Sequence, residues 1–299
     1  MKRFESNFRQ AIPPSELVLN GDGSVYHLAL KPHQIANTVI VVGDPGRVKR
    51  ISSRFSKIDH KVENREFLTH TGVYNGMPIS ALSTGIGTDN IDIVMNELDA
   101  LRHINLNTRV PNVELNPLRI VRLGTSGALH ADISPGSFVH SNYAVGLDGV
   151  LHFYDLPFEK DEIELVEEFV KNTGWNLSGL RPYAVRNDLA LGALFQKDFH
   201  QGITVTSCGF YGPQGRVLRL PVAMPEFNQR MSDFSFRQIP LANYEMESSA
   251  LFGLGAALGH ACTTVCVVVA NRIQNAFLPD HHEAIDMLID VVLERLSVQ

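Results

Sequence analysis

Thr38-Val39-Ile40-Val41-Val42-Gly43-Asp44-Pro45-Gly46-Arg47 decides the fold. Its first five residues are a β-branched run that favours extended backbone. Gly-Asp-Pro-Gly then ends the strand, and Val48, Ile51 and Phe55 follow at helical spacing. The stretch reads strand, turn, helix.

The unit recurs. Residues 79–83 read as a second strand ending in Thr84-Gly85-Ile86-Gly87, after which Ile91, Val94, Met95, Leu98 and Leu101 mark one face of a helix. A third strand over 119–123 runs into Gly124-Thr125-Ser126-Gly127, read as another glycine loop at a strand end. Between them, residues 105–118 are polar with two prolines and read as a surface insertion. Further strands are expected over 139–145, 184–186, 203–207 and 263–270, with an irregular loop over 209–225 and helices over 247–258 and 281–296. Asp161 reads as the N-cap of another helix, with Ile163, Val166 and Val170 inward and Gly174 as its stop. Strands alternating with helices, several of them almost wholly apolar, imply a sheet covered on both faces. The expected architecture is one three-layer α/β/α domain with a central mixed sheet over 25–299, preceded by an N-terminal extension over 1–24.

Composition narrows the function. In 299 residues, 26 Lys and Arg against 32 Asp and Glu leave a formal charge of −6, which argues against a nucleic-acid binder. A 44% hydrophobic share excludes disorder and fibrous classes. Cys208, Cys262 and Cys266 form no C-x-x-C pair and no disulfide framework, so a reducing cytoplasm is expected. Residues 1–10 lack the apolar core of a signal peptide, and the apolar run 261–270 is too short to cross a bilayer. Neither export nor membrane insertion is expected.

Ligands of open α/β sheets bind beyond the carboxyl ends of strands, where the glycine segments lie. Glycine lets backbone N–H groups approach an anion, and Arg47 and Arg122 each add a fork of donors suited to phosphate. No G-x-x-x-x-G-K-[ST] occurs, and Gly85-Ile86-Gly87-Thr88-Asp89-Asn90 lacks the third glycine of a dinucleotide fingerprint, so nucleoside triphosphate and NAD are not expected. Taken singly, each Gly–Arg segment is more often a tight turn with a surface arginine. No metal centre is expected: His281-His282-Glu283 reads as a solvated helix start, and Asp286, Asp290 and Glu294 as a solvated helix face. Cys208 reads as a small buried residue at a strand end, and Cys262 and Cys266 as core.

Six motifs, GDPGR (43–47), NREF (64–67), STGIG (83–87), RLGTSG (122–127), FYGPQGR (210–216) and NYEMES (243–248), together resemble the nucleoside phosphorylases of the hexameric bacterial type. Within that family they are most similar to the uridine-specific branch. The resemblance implies reversible phosphorolysis of a nucleoside to free base and ribose 1-phosphate. It implies that Gly43, Arg47, Arg122 and Thr125 hold phosphate, with Arg65 reaching the phosphate of a neighbouring subunit. Thr125, Met246 and Glu247 would hold ribose, with His27 contributed across the interface. Phe210, Gln214 and Arg216 would read the base, and Arg122, Gln214 and Arg216 would carry the chemistry. By itself, Glu247 also reads as an acid favoured at a helix N-terminus.

Purine-specific relatives place an aspartate after the late strand, where this chain has Asn271-Arg272. Uridine, uracil, phosphate and ribose 1-phosphate are therefore the implied ligands. Phosphate is a co-substrate, no organic cofactor is implied, and Glu66 corresponds to a ligand of a monovalent interfacial cation. Asn90 stands where relatives carry a small hydroxyl, and Gly212-Pro213 precedes Gln214 in an order unlike the common bacterial pattern. A homo-oligomer is implied, with a dimer as the active unit and a hexamer as the larger alternative. Three other readings stay open: a purine nucleoside phosphorylase, a nucleosidase of the same fold, or a non-catalytic nucleoside-binding protein.

Overall fold

The structure, a computed structural model, describes residues 10–298. In chain order, β1 (Thr38–Val42) leads into α1 (Pro45–Ser52), and β2 (Lys57–Asn64), β3 (Phe67–Tyr74) and β4 (Met77–Ser83) lead into α2 (Thr88–His103). A hairpin of β5 (Ile104–Asn105) and β6 (Val110–Pro111) follows, then β7 (Arg119–Ala128), β8 (Phe138–Gly146), α3 (Lys160–Thr173), β9 (Tyr183–Arg186), the single turn α4 (Leu189–Gly192) and β10 (His200–Thr206). The last elements are α5 (Phe227–Ser232), β11 (Ser235–Phe236), β12 (Ile239–Glu245), α6 (Ser248–Leu258), β13 (Ala261–Asn271), β14 (Ala276–Phe277) and α7 (His282–Ser297).

The main sheet is mixed and twelve-stranded, ordered β11-β12-β10-β8-β13-β7-β1-β4-β3-β2, with β9 added to β8 and β14 to β13. β1 lies parallel to both β4 and β7. β12 pairs parallel with β10, and through Asn243 and Tyr244 antiparallel with the end of β7. Strands β7, β13, β8, β10 and β12 thus close into a ring, from which β1, β4, β3 and β2 extend as an open wing.

Alternation along β1 explains the layers. Val39 and Val41 pack with α2 and α6, whereas Ile40 and Val42 pack with α1 and α7. A third cluster joins α3 and α5 to the ring through Phe169, Met231, Val205 and Leu241. Leu288 of α7 is 0% exposed. Leu288→Ala is expected to cost about 2–5 kcal/mol of stability, read from the shift of its urea midpoint.

The glycine segment 124–127 is not a loop. β7 runs through it because β13 pairs with it along its length and β12 caps its end, so non-local pairing overrides local turn chemistry. The 105–118 insertion forms the surface hairpin β5–β6 with its flanks. Helix α3 begins after Glu159 rather than Asp161, and it buries Leu165, Val166 and Phe169 while Ile163 stays 45% exposed. Asp286 and Asp290 are paired rather than merely solvated, to Arg50 and Arg54 of the α1 region. Cys208 is exposed, because β10 ends two residues earlier and the chain turns outward; Cys262 and Cys266 are buried.

Of the extension expected over 1–24, residues 1–9 lie outside the described residues, as does most of the 1–10 stretch. Its remainder packs on the domain, with Leu17 and Leu19 against the core and Leu19 bridged to Val25. Among the described residues no helix is long and apolar enough to cross a membrane.

Candidate active site

A cleft of about 1090 Å³ opens at the carboxyl ends of β1, β4, β7, β12 and β13 and is flanked by the loop after β10. Gly43, Arg47, Arg122, Thr125, Phe210, Gln214, Arg216, Met246 and Glu247 all line it. Nine residues drawn from four separate stretches of sequence therefore share one cavity.

One end gathers cationic side chains and a helix start. Asp44 caps α1 by accepting from the Gly46 N–H at 2.8 Å, and Pro45 sits at its first position, so the helix starts directly behind Gly43. Arg47, in the first turn, is buried and donates through Nη1 to the Leu123 carbonyl at 3.0 Å. Burial, and after it the charge of Arg122, lower the Arg47 pKa, so a bound anion would relieve both effects.

Arg122 projects from β7 between two carboxylates. Its Nη2 donates to Glu247, and its Nη1 lies 3.1 Å from Glu245 Oε2 and donates to Cys266 Sγ at 3.4 Å. Burial pulls the guanidinium pKa down, but Glu247 and Glu245 outweigh it and hold Arg122 protonated. Burial pushes the Glu245 carboxyl above the usual range, against the pull of Arg122. Gly124 makes this packing possible: a Cβ there would stand 2.2 Å from Arg122 Nη1 and 2.9 Å from Cys266 Sγ. Gly124→Ala is therefore expected to displace the guanidinium and cost about 1–3 kcal/mol of stability, read from the shift of its urea midpoint.

Glu247 precedes α6 and also accepts from the Gly87 N–H at 2.8 Å. Its carboxylate thus joins the ends of β4, β7 and β12, and Met246 beside it faces the same cavity.

The other end is a hydrogen-bonding edge. Gln214, 4% exposed, closes the 3-10 turn Gly212–Gln214. Its Oε1 accepts from Arg216 Nη1 at 2.6 Å, which leaves Nε2 without a partner among the described residues. Arg216 also donates to the Phe210 carbonyl at 2.6 Å, and its guanidinium sits 3.7 Å from the Phe210 ring centre. One face of that ring is thereby occupied. Burial, followed by the nearby Arg272, lowers the Arg216 pKa to about 10. Arg272 lines the cleft too, its Nη2 donating to the Gly215 carbonyl at 3.5 Å.

His27 and Arg65 do not line this cleft; they lie together elsewhere. His27 pairs through Nδ1 with Glu97 at 2.7 Å, and its carbonyl accepts from Asn64 at 2.8 Å. Arg65, at the β2–β3 turn with φ +55°, sits 5.5 Å from the ring of the adjacent Tyr26. Asn271 is committed elsewhere, its Nδ2 donating to the His130 and Ile133 carbonyls and its Oδ1 accepting from the Ile273 and Gln274 N–H groups.

Among the described residues, Asp99, His103 and His260 form the one cluster with metal-ligand composition, at the opposite end of β13. The Leu118 N–H donates to His260 Nδ1 at 3.0 Å, so the neutral ring carries its proton on Nε2, 3.3 Å from Asp99. His103 Nδ1 bonds Asp99 Oδ1 at 2.6 Å, whereas the Nε2 atoms of His103 and His260 are buried without a hydrogen-bond partner among the described residues.

The motif reading missed Glu245 and Cys266 as partners of Arg122. Glu245 lies inside the quoted NYEMES stretch, but its burial depends on ring closure; Cys266 carries no local signal.

The cleft thus sets an arginine-rich end against an edge of amide and guanidinium groups. The chain belongs to the phosphorylase superfamily, whose family model matches residues 37–294. It is 32% identical over 265 residues to the uridine phosphorylase of Thermococcus kodakarensis, covering 86% of this chain and 80% of that one. It is 30% identical to the uridine phosphorylase of Haemophilus influenzae, over 84% of this chain and 87% of that protein. Among solved structures it superimposes with a TM-score of 0.87 and 28% identity on a Trypanosoma brucei nucleoside phosphorylase described as showing uridine phosphorylase activity, covering 95% of this chain and all of that one.

Proposed function

We propose that the protein catalyses the reversible phosphorolysis of uridine to uracil and ribose 1-phosphate in the cytoplasm. The observation that carries this reading is the two-ended cleft, with Arg47 and Arg122 at one end, Gln214 and Arg216 at the other, and Glu247 between them. A phosphate oxygen attacks the anomeric carbon while the bond from that carbon to the uracil nitrogen breaks, and the bonding pair leaves with the base. The Gly43 loop, Arg47, Arg122 and Thr125 hold the phosphate. Thr125, Met246 and Glu247 hold the ribose, the carboxylate accepting from its hydroxyls.

Charge grows on the departing uracil, and fixed donors aimed at it strengthen as it grows. Gln214 Nε2 and the Arg216 guanidinium supply those donors, so no general acid is needed. Phe210 is the apolar wall beside the base. The bound side chain of Asn271 supports a pyrimidine over a purine, since it offers no free acid to protonate a purine ring.

His27 and Arg65 serve the cleft of a neighbouring subunit, which makes a dimer the smallest complete unit; a hexamer of the bacterial type would contain three such dimers. Phosphate is the co-substrate, and no organic cofactor takes part. Glu66 and Asn90 meet at Gly85 on the rim of the cleft, and the Glu66 carboxylate has no ion-pair partner among the described residues. Their side-chain oxygens are the donors that a monovalent cation shared between subunits would use.

Gln214→Ala is expected to lower uridine turnover tenfold or more while leaving the melting temperature nearly unchanged, the scale for loss of one transition-state donor. Near-normal turnover would contradict the assignment of the base end.

A further inference from the structure

The turn that presents Gln214 has little stiffness of its own. It is a three-residue 3-10 turn ending at Gly215 in the left-handed region, φ +70°. Its backbone bonds run from the Gln214 and Arg216 N–H groups to the Tyr211 carbonyl, at 3.1 and 2.9 Å, and from the Gly215 N–H to the Gly212 carbonyl at 2.9 Å. All three stay within residues 211–216, so none of them fixes the turn to the rest of the molecule.

Asn228 attaches it from outside the cleft, beside the longer bond of 3.5 Å that Arg272 makes to the Gly215 carbonyl from within it. Half-buried in α5, it donates through Nδ2 to the Gln214 carbonyl at 3.3 Å and accepts at Oδ1 from the Tyr244 hydroxyl at 3.2 Å. Its amide also fills the space beside Gly215, where a Cβ would stand 2.6 Å from Asn228 Nδ2. Tyr244 is 1% exposed, and one residue further along β12 is Glu245, which holds Arg122. One amide therefore links the base-reading turn to β12, the strand that runs into Met246 and Glu247.

We propose that Asn228 is a positioning residue for nucleobase recognition: it sets the height of Gln214 and Arg216 over the sugar and touches no substrate itself. Its kinetic consequence rests on the phosphorolysis reading, whereas its structural consequence does not. An error of about 1 Å in a positioned group can cost as much as 10²-fold. For Asn228→Ala the expected loss in uridine kcat/KM is about tenfold, with the phosphate KM unchanged within about twofold, because Arg47 and Arg122 sit on other elements. Asn228→Asp keeps the acceptor for Tyr244 but sets a carboxylate against the Gln214 carbonyl, so its loss should be at least as large.

Two readouts separate positioning from general destabilisation. In a Gln214→Ala background, Asn228→Ala should cause a much smaller further loss, since only Arg216 is left to position. Hydrogen exchange at the Gly215 and Arg216 amides should accelerate in Asn228→Ala, while exchange in β1 and β13 stays as in the parent. Unchanged uridine kinetics in both single variants, a fully additive loss in the Gln214→Ala background, or unchanged exchange in the turn would each overturn the proposal. If the parent enzyme releases no uracil with phosphate, the phosphorolysis reading fails. The exchange comparison then decides the tether alone: acceleration upholds it and no change overturns it.

Discussion

Arg122→Ala is expected to lower kcat/KM for phosphate by about 10³ and to lower the melting temperature by about 10 °C. Both effects follow from one position. The guanidinium is the most buried cation of the cleft, and in the structure it faces Glu247, Glu245 and Cys266 at once. Its removal takes from the cleft the donor proposed to hold phosphate and leaves buried carboxylates without their cation, a loss of about 3–5 kcal/mol.

The destabilisation carries a sign in pH. Burial already raises the Glu245 pKa, and Arg122 is the chief group pulling it down. Without Arg122 the folded-state pKa of Glu245 rises further above its unfolded value, so the folded variant binds a proton more readily than the unfolded chain. Its stability deficit should be largest at neutral and alkaline pH and shrink as the pH falls through that raised pKa. Melting curves of parent and variant across pH, with phosphate kinetics at one pH, check both parts. A deficit independent of pH would contradict the buried-charge account, and Arg122→Lys should recover more stability than activity, because lysine restores charge without the planar fork.

Glu247→Ala is the second large effect, and it should impair the use of uridine while sparing the binding of phosphate. Loss of a carboxylate that accepts from ribose hydroxyls is expected to lower uridine kcat/KM by about 10² or more, as charged hydrogen bonds contribute about 1.5–3 kcal/mol each. Yet Glu247 also occupies Arg122 Nη2, which phosphate must engage. With that competitor gone, the phosphate KM should fall or hold steady. Initial rates with each substrate varied in turn give the answer; a phosphate KM that rises with the uridine defect would show that Glu247 acts by holding Arg122 in place instead of binding sugar.

How far the sequence foretold this site depends on how local each feature is. The strand expected over 38–42 has those bounds in the structure, because five β-branched or apolar residues followed by Gly-Asp-Pro-Gly leave few alternatives. The segment with Gly43 and Arg47 is legible for the same reason, whereas Gln214, Arg216 and Glu247 are reached through the resemblance of their motifs to the family. β2 and β3 were not read as strands. Along β2, exposed Lys57, Asp59, Lys61 and Glu63 alternate with partly covered residues at the sheet edge, a pattern that suppresses edge pairing and masks the strand signal.

Non-local features were beyond reach. Glycines at 124 and 127 look like a loop until β13 and β12 are seen beside them. The ring that brings β12 against β7 also carries Glu245 and Glu247 to Arg122, residues more than 120 positions apart. No periodicity encodes such a contact. Asn228 belongs with these: no helix is read from the sequence around it, and only the fold sets its amide between Tyr244 and Gln214.

The most direct test of the central claim is product analysis on the purified protein given uridine with phosphate, uridine without phosphate, and inosine with phosphate. Uracil should be released only when phosphate is present, in equal amount with ribose 1-phosphate identified by phosphorus NMR, and inosine should be turned over far more slowly. Uracil released without phosphate as free ribose, or hypoxanthine released faster than uracil, would contradict the account.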